Sequence, residues 1–244
     1  MTLTQFFLRH NNIYALSRMS GAYDLYNRLI NAAPSGQAAS VDYEPETTKY
    51  ITDTLKKGDS FIDCGANTGY FSILAGKLGA NVVAFEPVKE YYLQLKQKSA
   101  KDKKIKVVNK AVGIKEGKAL INFNEAGSTM VGIKGKRTEE IEITTLDTTF
   151  PDGLPRLKII KIDVEGMEKE ALEGGKNLIR RHMPDIIFEF NYALLYTKNR
   201  KYDEVFDLLR GLGYKKFIEM QTGKPVKGHR ELSSSSENIL ATKS

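Results

Sequence analysis

Five short apolar runs, each closing on or just before a polar side chain, constrain this chain more than any other feature: SFIDCG, NVVAFE, IKVVNKAV, LKIIKID and DIIFEF. A run that is apolar at every position, rather than at alternate ones, suits a strand buried on both faces. Such strands occur in parallel sheets covered by helices on both sides. The segments between them supply helices. TGYFSILAGKLG puts Phe71, Leu74, Ala75 and Leu78 on one face, with Gly79 just past the end. A polar helix is expected over 88–101, and others over 167–181 and 202–211, the last ended by Gly211 or Gly213. KKFIEM and ENILAT read as closing strands. The expected fold class is α/β, a doubly wound and mostly parallel sheet.

Two stretches break the alternation. KALINF and EEIEITTL are strand-like on either side of NEAGSTMVGIKGKR, which predicts an antiparallel insertion near 117–144. Before the first strand, Phe6, Phe7, Ile13, Leu16, Tyr23, Tyr26, Leu29 and Ile30 recur at helical intervals, and APSGQAAS then reads as a hinge. Residues 1–42 are therefore expected to be an N-terminal helical segment, placed as a lid, and 43–244 the main domain. No run approaches the ~18 apolar residues of a membrane span, and the N-terminus lacks a signal-peptide core and cleavage site. A cytoplasmic protein is expected. Cys64 is the single cysteine, so no internal disulfide can form, and without a Cys/His cluster structural zinc is not expected.

Right-handed crossovers bring the C-terminal ends of parallel strands to one rim, where ligands bind. Asp63, Glu86, Asn109, Asp163 and Glu189 all fall at or near such ends. DCGANTG sets Gly65 and Gly69 between a strand and a helix, and Glu86 ends the next strand. That is the logic of a nucleoside site, in which glycine admits the ligand and the second-strand carboxylate takes the ribose hydroxyls. Asn67 stands where the dinucleotide fingerprint needs glycine, and Asp63 would repel a phosphate. A nucleoside bearing a cationic group fits better, and S-adenosylmethionine is one.

FIDCGANTGYFS, AFEP, VNKAVG, TTLD, KIDVEGMEKEALEGG and PDIIFE occur in that order over 44–190. This series resembles the FkbM-type class I methyltransferases. The resemblance implies a Rossmann-like fold and S-adenosylmethionine as cofactor. It implies Gly65, Ala66, Asn67 and Gly69 under the methionine part, and Asp63 at its amino group. Glu86, with Pro87 after it, would hold the ribose, and Asn109 and Ala111 would flank the adenine. Tyr70 either faces the sulfonium through a cation–π contact or packs under its helix.

Asp163 and Glu165 lie beside the expected methyl group. In an extended chain, residues two apart point the same way, so both acids could address one hydroxyl, one holding it and one taking its proton. Alternatively Glu165 caps the next helix or pairs with Lys161 or Lys169. Glu189 and Asn191 form a second candidate set, which with Asp163 could hold a hard cation; the resemblance requires no metal. Tyr192, Tyr196 and Tyr202 suit stacking on a sugar ring, or packing. The expected partner is a small-molecule or glycan acceptor carrying a hydroxyl: a sugar, glycan or secondary metabolite. The net charge of +7 keeps RNA 2′-O-methylation as an alternative, although the lysines are dispersed and a dedicated nucleic-acid surface is not expected. A non-catalytic cofactor-binding protein is the third reading.

Overall fold

The computed structural model of the chain describes residues 43–123, 129–131 and 137–243. The expected helical segment at 1–42 lies outside them. The main sheet takes its strands from β1 (Ser60–Cys64), β2 (Asn81–Phe85), β3 (Ile105–Val108), β8 (Leu157–Ile162), β9 (Asp185–Asn191), β10 (Lys216–Glu219), β11 (Lys224–Pro225) and β12 (Ser236–Thr242). It has eight strands in the order β11-β10-β12-β9-β8-β1-β2-β3. From β3 to β9 the neighbours are parallel, and β12 joins β9 antiparallel. The chain winds outward from β1 to β3 and then returns to β8 on the other side of β1. The switch point thus lies between β1 and β8, where an open α/β sheet leaves its crevice.

The apolar runs behave as the sequence predicts. Every residue of β1 is buried. Ile62, Ile160 and Phe188 face one core, and Phe61, Ile159 and Ile187 face the other. α1 (Pro45–Thr54), opened by proline at its first position, and α2 (Tyr70–Lys77) both pack on the second core. α2 stops where Gly79 takes a φ of 88° and Ala80 N–H donates back to Ala75 O at 3.1 Å. That is a glycine helix end. α3 (Lys89–Lys98) is the expected polar helix. Among the described residues no helix is long and apolar enough to cross a membrane.

Four expectations need correction. IKVVNKAV is not one strand: β3 ends at Val108, and β4 (Ala111–Val112) pairs instead with β7 (Arg137–Thr144). The antiparallel insertion is real, but β4, β7, β5 (Gly117–Phe123) and β6 (Thr129–Val131) form a sheet of their own. TTLD holds a short helix, α4 (Leu146–Thr149). The helix expected over 167–181 is two, α5 (Glu168–Glu173) and α6 (Lys176–His182). Its break has a steric cause. A Cβ on Gly174 would stand 2.0 Å from Gly113 O, so the glycine pair lets the second sheet's connection press against the helix. After β9 the chain forms α7 (Tyr192–Thr197) and then α8 (Glu204–Gly211), which Gly213 ends with a φ of 103°.

Candidate active site

The loop between β1 and α2 is held by backbone. Gly65 N–H and Ala66 N–H both donate to Phe85 O, at 2.9 and 3.0 Å. Gly65 has a φ of 81°, and a Cβ there would meet Asp163 O at 1.9 Å. The loop is therefore seated on the chain leaving β8. Asn67 shows why an asparagine serves where the dinucleotide pattern has glycine. Its φ is 50°, in the left-handed region that asparagine tolerates. Its Oδ1 accepts from Thr68 N–H at 2.7 Å, and its own N–H donates to Glu86 Oε2 at 2.8 Å. Val88 N–H donates to Glu86 Oε1 at 2.8 Å. Glu86 is 4% exposed, and burial pushes its pKa up to about 7 against the pull of these two donors. Pro87, half-buried, lends its carbonyl with that of Glu86 to the Asn109 amide, at 2.8 and 2.9 Å. Asn109 thus ties the ends of β2 and β3 together. Ala111 packs against the small core around Val88, Ile121 and Ile141.

On the second face of the sheet, alternation continues the Phe61–Ile159–Ile187 row into Asp63, Lys161 and Glu189. Asp63 lies opposite Lys161 in register, and Lys161 opposite Ile187. Asp63 is buried. Its Oδ2 accepts from Ser72 Oγ at 2.6 Å, while its Oδ1 has no hydrogen-bond partner among the described residues. Burial raises the Asp63 pKa, opposed by Lys161 and Ser72. Lys161 is also buried, with Nζ 3.2 Å from Asp163 Oδ2 and 4.9 Å from the Phe71 ring centre. Burial disfavours its charge, but Asp163, Glu44 and Asp63 outweigh that, so its pKa lies above the ordinary lysine value. Glu189 accepts from Ser236 Oγ at 3.0 Å. Asn238, its neighbour across β12, donates to Glu44 Oε2 at 2.5 Å. Tyr70 is 39% exposed, packs edge-on to Tyr43 and Phe71, and receives a hydrogen bond from Thr48 Oγ1 at 3.2 Å.

Strand alternation does not carry Glu165 to the side of Asp163, because β8 ends at Ile162. The chain then turns, with Glu165 at a φ of 56° and Gly166 at 82°. The carboxylate that caps this turn is one that sequence reasoning missed. Glu168 Oε1 accepts from Val164 N–H at 3.2 Å and Gly166 N–H at 3.0 Å. The available signal was the density of acids at 163, 165, 168 and 170, too many for one exposed face. Asn191 serves as the N-cap of α7, accepting from Leu194 N–H at 3.2 Å. Tyr192 stacks on Tyr202 at 4.5 Å and on Tyr196 at 6.4 Å, and Tyr196 is 57% exposed. Cys64 is fully buried, and that burial pushes its thiol pKa up, so it is not an activated nucleophile.

The family description "Methyltransferase FkbM domain" matches residues 63–216. The hexuronic acid methyltransferase AglP of Haloferax volcanii is 26% identical over 143 residues, covering 56% of this chain and 58% of that protein. The chain thus spans a little over half of that relative. An FkbM methyltransferase from Methylobacillus flagellatus superposes with a TM-score of 0.50 at 16% identity, over 80% of this chain and 50% of that one. A protein from Streptococcus mutans, assigned as a methyltransferase and solved in complex with SAH, does so with a TM-score of 0.50 at 10% identity, over 82% of this chain and 98% of its own. At these identities the structural likenesses show the fold alone.

Proposed function

The chain belongs to the FkbM methyltransferase family, a family that takes its methyl group from S-adenosylmethionine, and from that premise we propose that it methylates a hydroxyl of a sugar or glycan acceptor. The observation that supports the cofactor half of this reading is Asp63 Oδ1, a buried carboxylate oxygen without a hydrogen-bond partner among the described residues, at the switch point of the sheet. An unpaired buried acceptor is costly, and the cofactor's ammonium group would satisfy it. Gly65, Ala66, Asn67 and Gly69 then lie under the methionine part. Glu86 takes the ribose hydroxyls, and Asn109 and Ala111 border the base.

Methyl transfer is an in-line displacement: the acceptor oxygen attacks the methyl carbon as the carbon–sulfur bond breaks, and the hydroxyl proton must leave. Asp163, held by Lys161, orients the hydroxyl, and Glu165 and Glu189 are the candidates to receive the proton. Support for a sugar comes from the hexuronic acid methyltransferase relative and from the tyrosine stack on the segment that follows β9, whose outer member Tyr196 is exposed. Uronic acids are the first class to test, since the chain carries a net charge of +7. The experiment is S-adenosylhomocysteine release with uronic acids, their glycosides, neutral sugars and a short RNA. Turnover on RNA alone would replace the sugar reading, and turnover on none of the sugars would end it.

A further inference from the structure

The Val164–Gly166 turn carries two consecutive residues in the left-handed region, Glu165 and Gly166. A non-glycine residue rarely stays there unless its surroundings hold it. Here side chains from two other segments do so. Glu168, 4% exposed, takes both the Val164 and the Gly166 N–H on one oxygen. Lys198, just past α7, donates from Nζ to Glu165 O at 2.6 Å. Gly166 is boxed in by the same segment, since a Cβ there would lie 3.3 Å from Leu194 Cβ and 3.3 Å from Lys198 Nζ. Arg200 anchors the segment to α5 and α8 through Glu170 at 2.7 Å and Glu204 at 2.6 Å.

One buried and two half-buried ionisable side chains thus serve three residues of backbone. A helix start needs no such cage; an exposed cap suffices. What distinguishes this turn is its cargo, since it fixes where the chain carries Asp163 and Glu165 as it leaves β8. We infer that Glu168 and Lys198 are positioning residues, which clamp the Val164–Gly166 turn in its left-handed form so that Asp163 and Glu165 meet the acceptor. The inference rests on the acceptor side proposed above. It adds that the segment bearing the tyrosine stack also grips the turn through Lys198, so acceptor binding and carboxylate placement share one structural element.

The test uses the full chain and the variants E168A, E168Q and K198M. Three measurements are made on each: S-adenosylhomocysteine affinity by calorimetry, amide hydrogen exchange at Val164 and Gly166, and steady-state kinetics with p-nitrophenyl glucuronide at saturating S-adenosylmethionine. In E168A the two amides should exchange at least about tenfold faster. Its kcat should fall about 100-fold, the scale of a misplaced reacting group, with KM and cofactor affinity held within about threefold. E168Q should restore both amide protection and kcat, because its carboxamide oxygen can accept the same two bonds. K198M should lower kcat in the same selective way and tests the turn from the other side if E168A fails to fold. A kcat for E168A or K198M close to wild type would overturn the inference. So would losses mirrored in cofactor affinity, or an E168Q as poor as E168A. Wild-type protein inert toward the glucuronide would count against the acceptor assignment alone, and the exchange rates would still decide whether Glu168 holds the turn.

Discussion

Lowering the pH from 8 to 6 should weaken S-adenosylhomocysteine binding about tenfold through one residue, Glu86. Its carboxylate is 4% exposed and takes Asn67 N–H and Val88 N–H on opposite oxygens. Ribose hydroxyls can donate to the remaining lone pairs only while the group is ionised. Protonation puts a hydrogen where a ribose hydrogen must go. With the pKa raised to about 7, the carboxylate is about 90% ionised at pH 8 and about 10% at pH 6, a difference of ~1.4 kcal/mol in binding. The linkage to folding has the opposite sense. A carboxyl whose folded pKa exceeds its unfolded value of 4.5 binds its proton more tightly when folded. Its contribution to stability is therefore largest at acid pH and is lost as the pH rises from about 4.5 to about 7. Cofactor binding expels that proton. Calorimetry in buffers of different ionisation enthalpy should count nearly one proton released at pH 6 and few at pH 8. The product is the ligand of choice because its ammonium stays charged across this range. Glu86→Gln should bind more weakly at pH 8 and show a flat profile; that control separates Glu86 from Glu168, which burial also raises to about 7. Affinity unchanged between pH 6 and 8, or a pH dependence that survives in Glu86→Gln, would refute the reasoning.

Asp163→Asn and Glu165→Gln should each slow single-turnover methyl transfer by roughly 100- to 10,000-fold, and the double variant by less than the product, as two groups serving one proton would; a wild-type rate in Glu165→Gln would move the base to Glu189. Gly65→Ala forces a Cβ to 1.9 Å from Asp163 O at a φ of 81°, and should destabilise the protein by at least about 3 kcal/mol in urea denaturation; an unchanged midpoint would mean the loop is not seated on Asp163. Removing residues 1–42 should abolish turnover while leaving S-adenosylhomocysteine affinity nearly intact, and parallel loss of both would mean the segment belongs to the core rather than to a lid.

The parallel sheet was legible because burial on both faces leaves a local mark: runs such as VVAF and IIF are apolar at every position. The rim was legible for the same reason, since polar residues at or near strand ends are placed by topology rather than by neighbours. Asp63, Glu86 and Asp163 were therefore readable as strand-end positions before any contact was known. Tyr192 and Tyr196 were noticed, but not their helix, because six residues with one lysine beyond them carry too little periodicity.

Sequence alone thus determined the central strands of the parallel sheet, their order of appearance and the carboxylates at their ends, all of which follow from patterns within a few residues. Tertiary structure decided how those carboxylates are held. Ser72 meets Asp63, Asn67 reaches Glu86, and Lys198 grips a carbonyl 33 residues earlier. The left-handed turn at Glu165, which departs from strand alternation, is settled there too. Such choices depend on which side chains the fold brings within 3 Å, and no local pattern encodes a contact whose partner lies on another strand or helix.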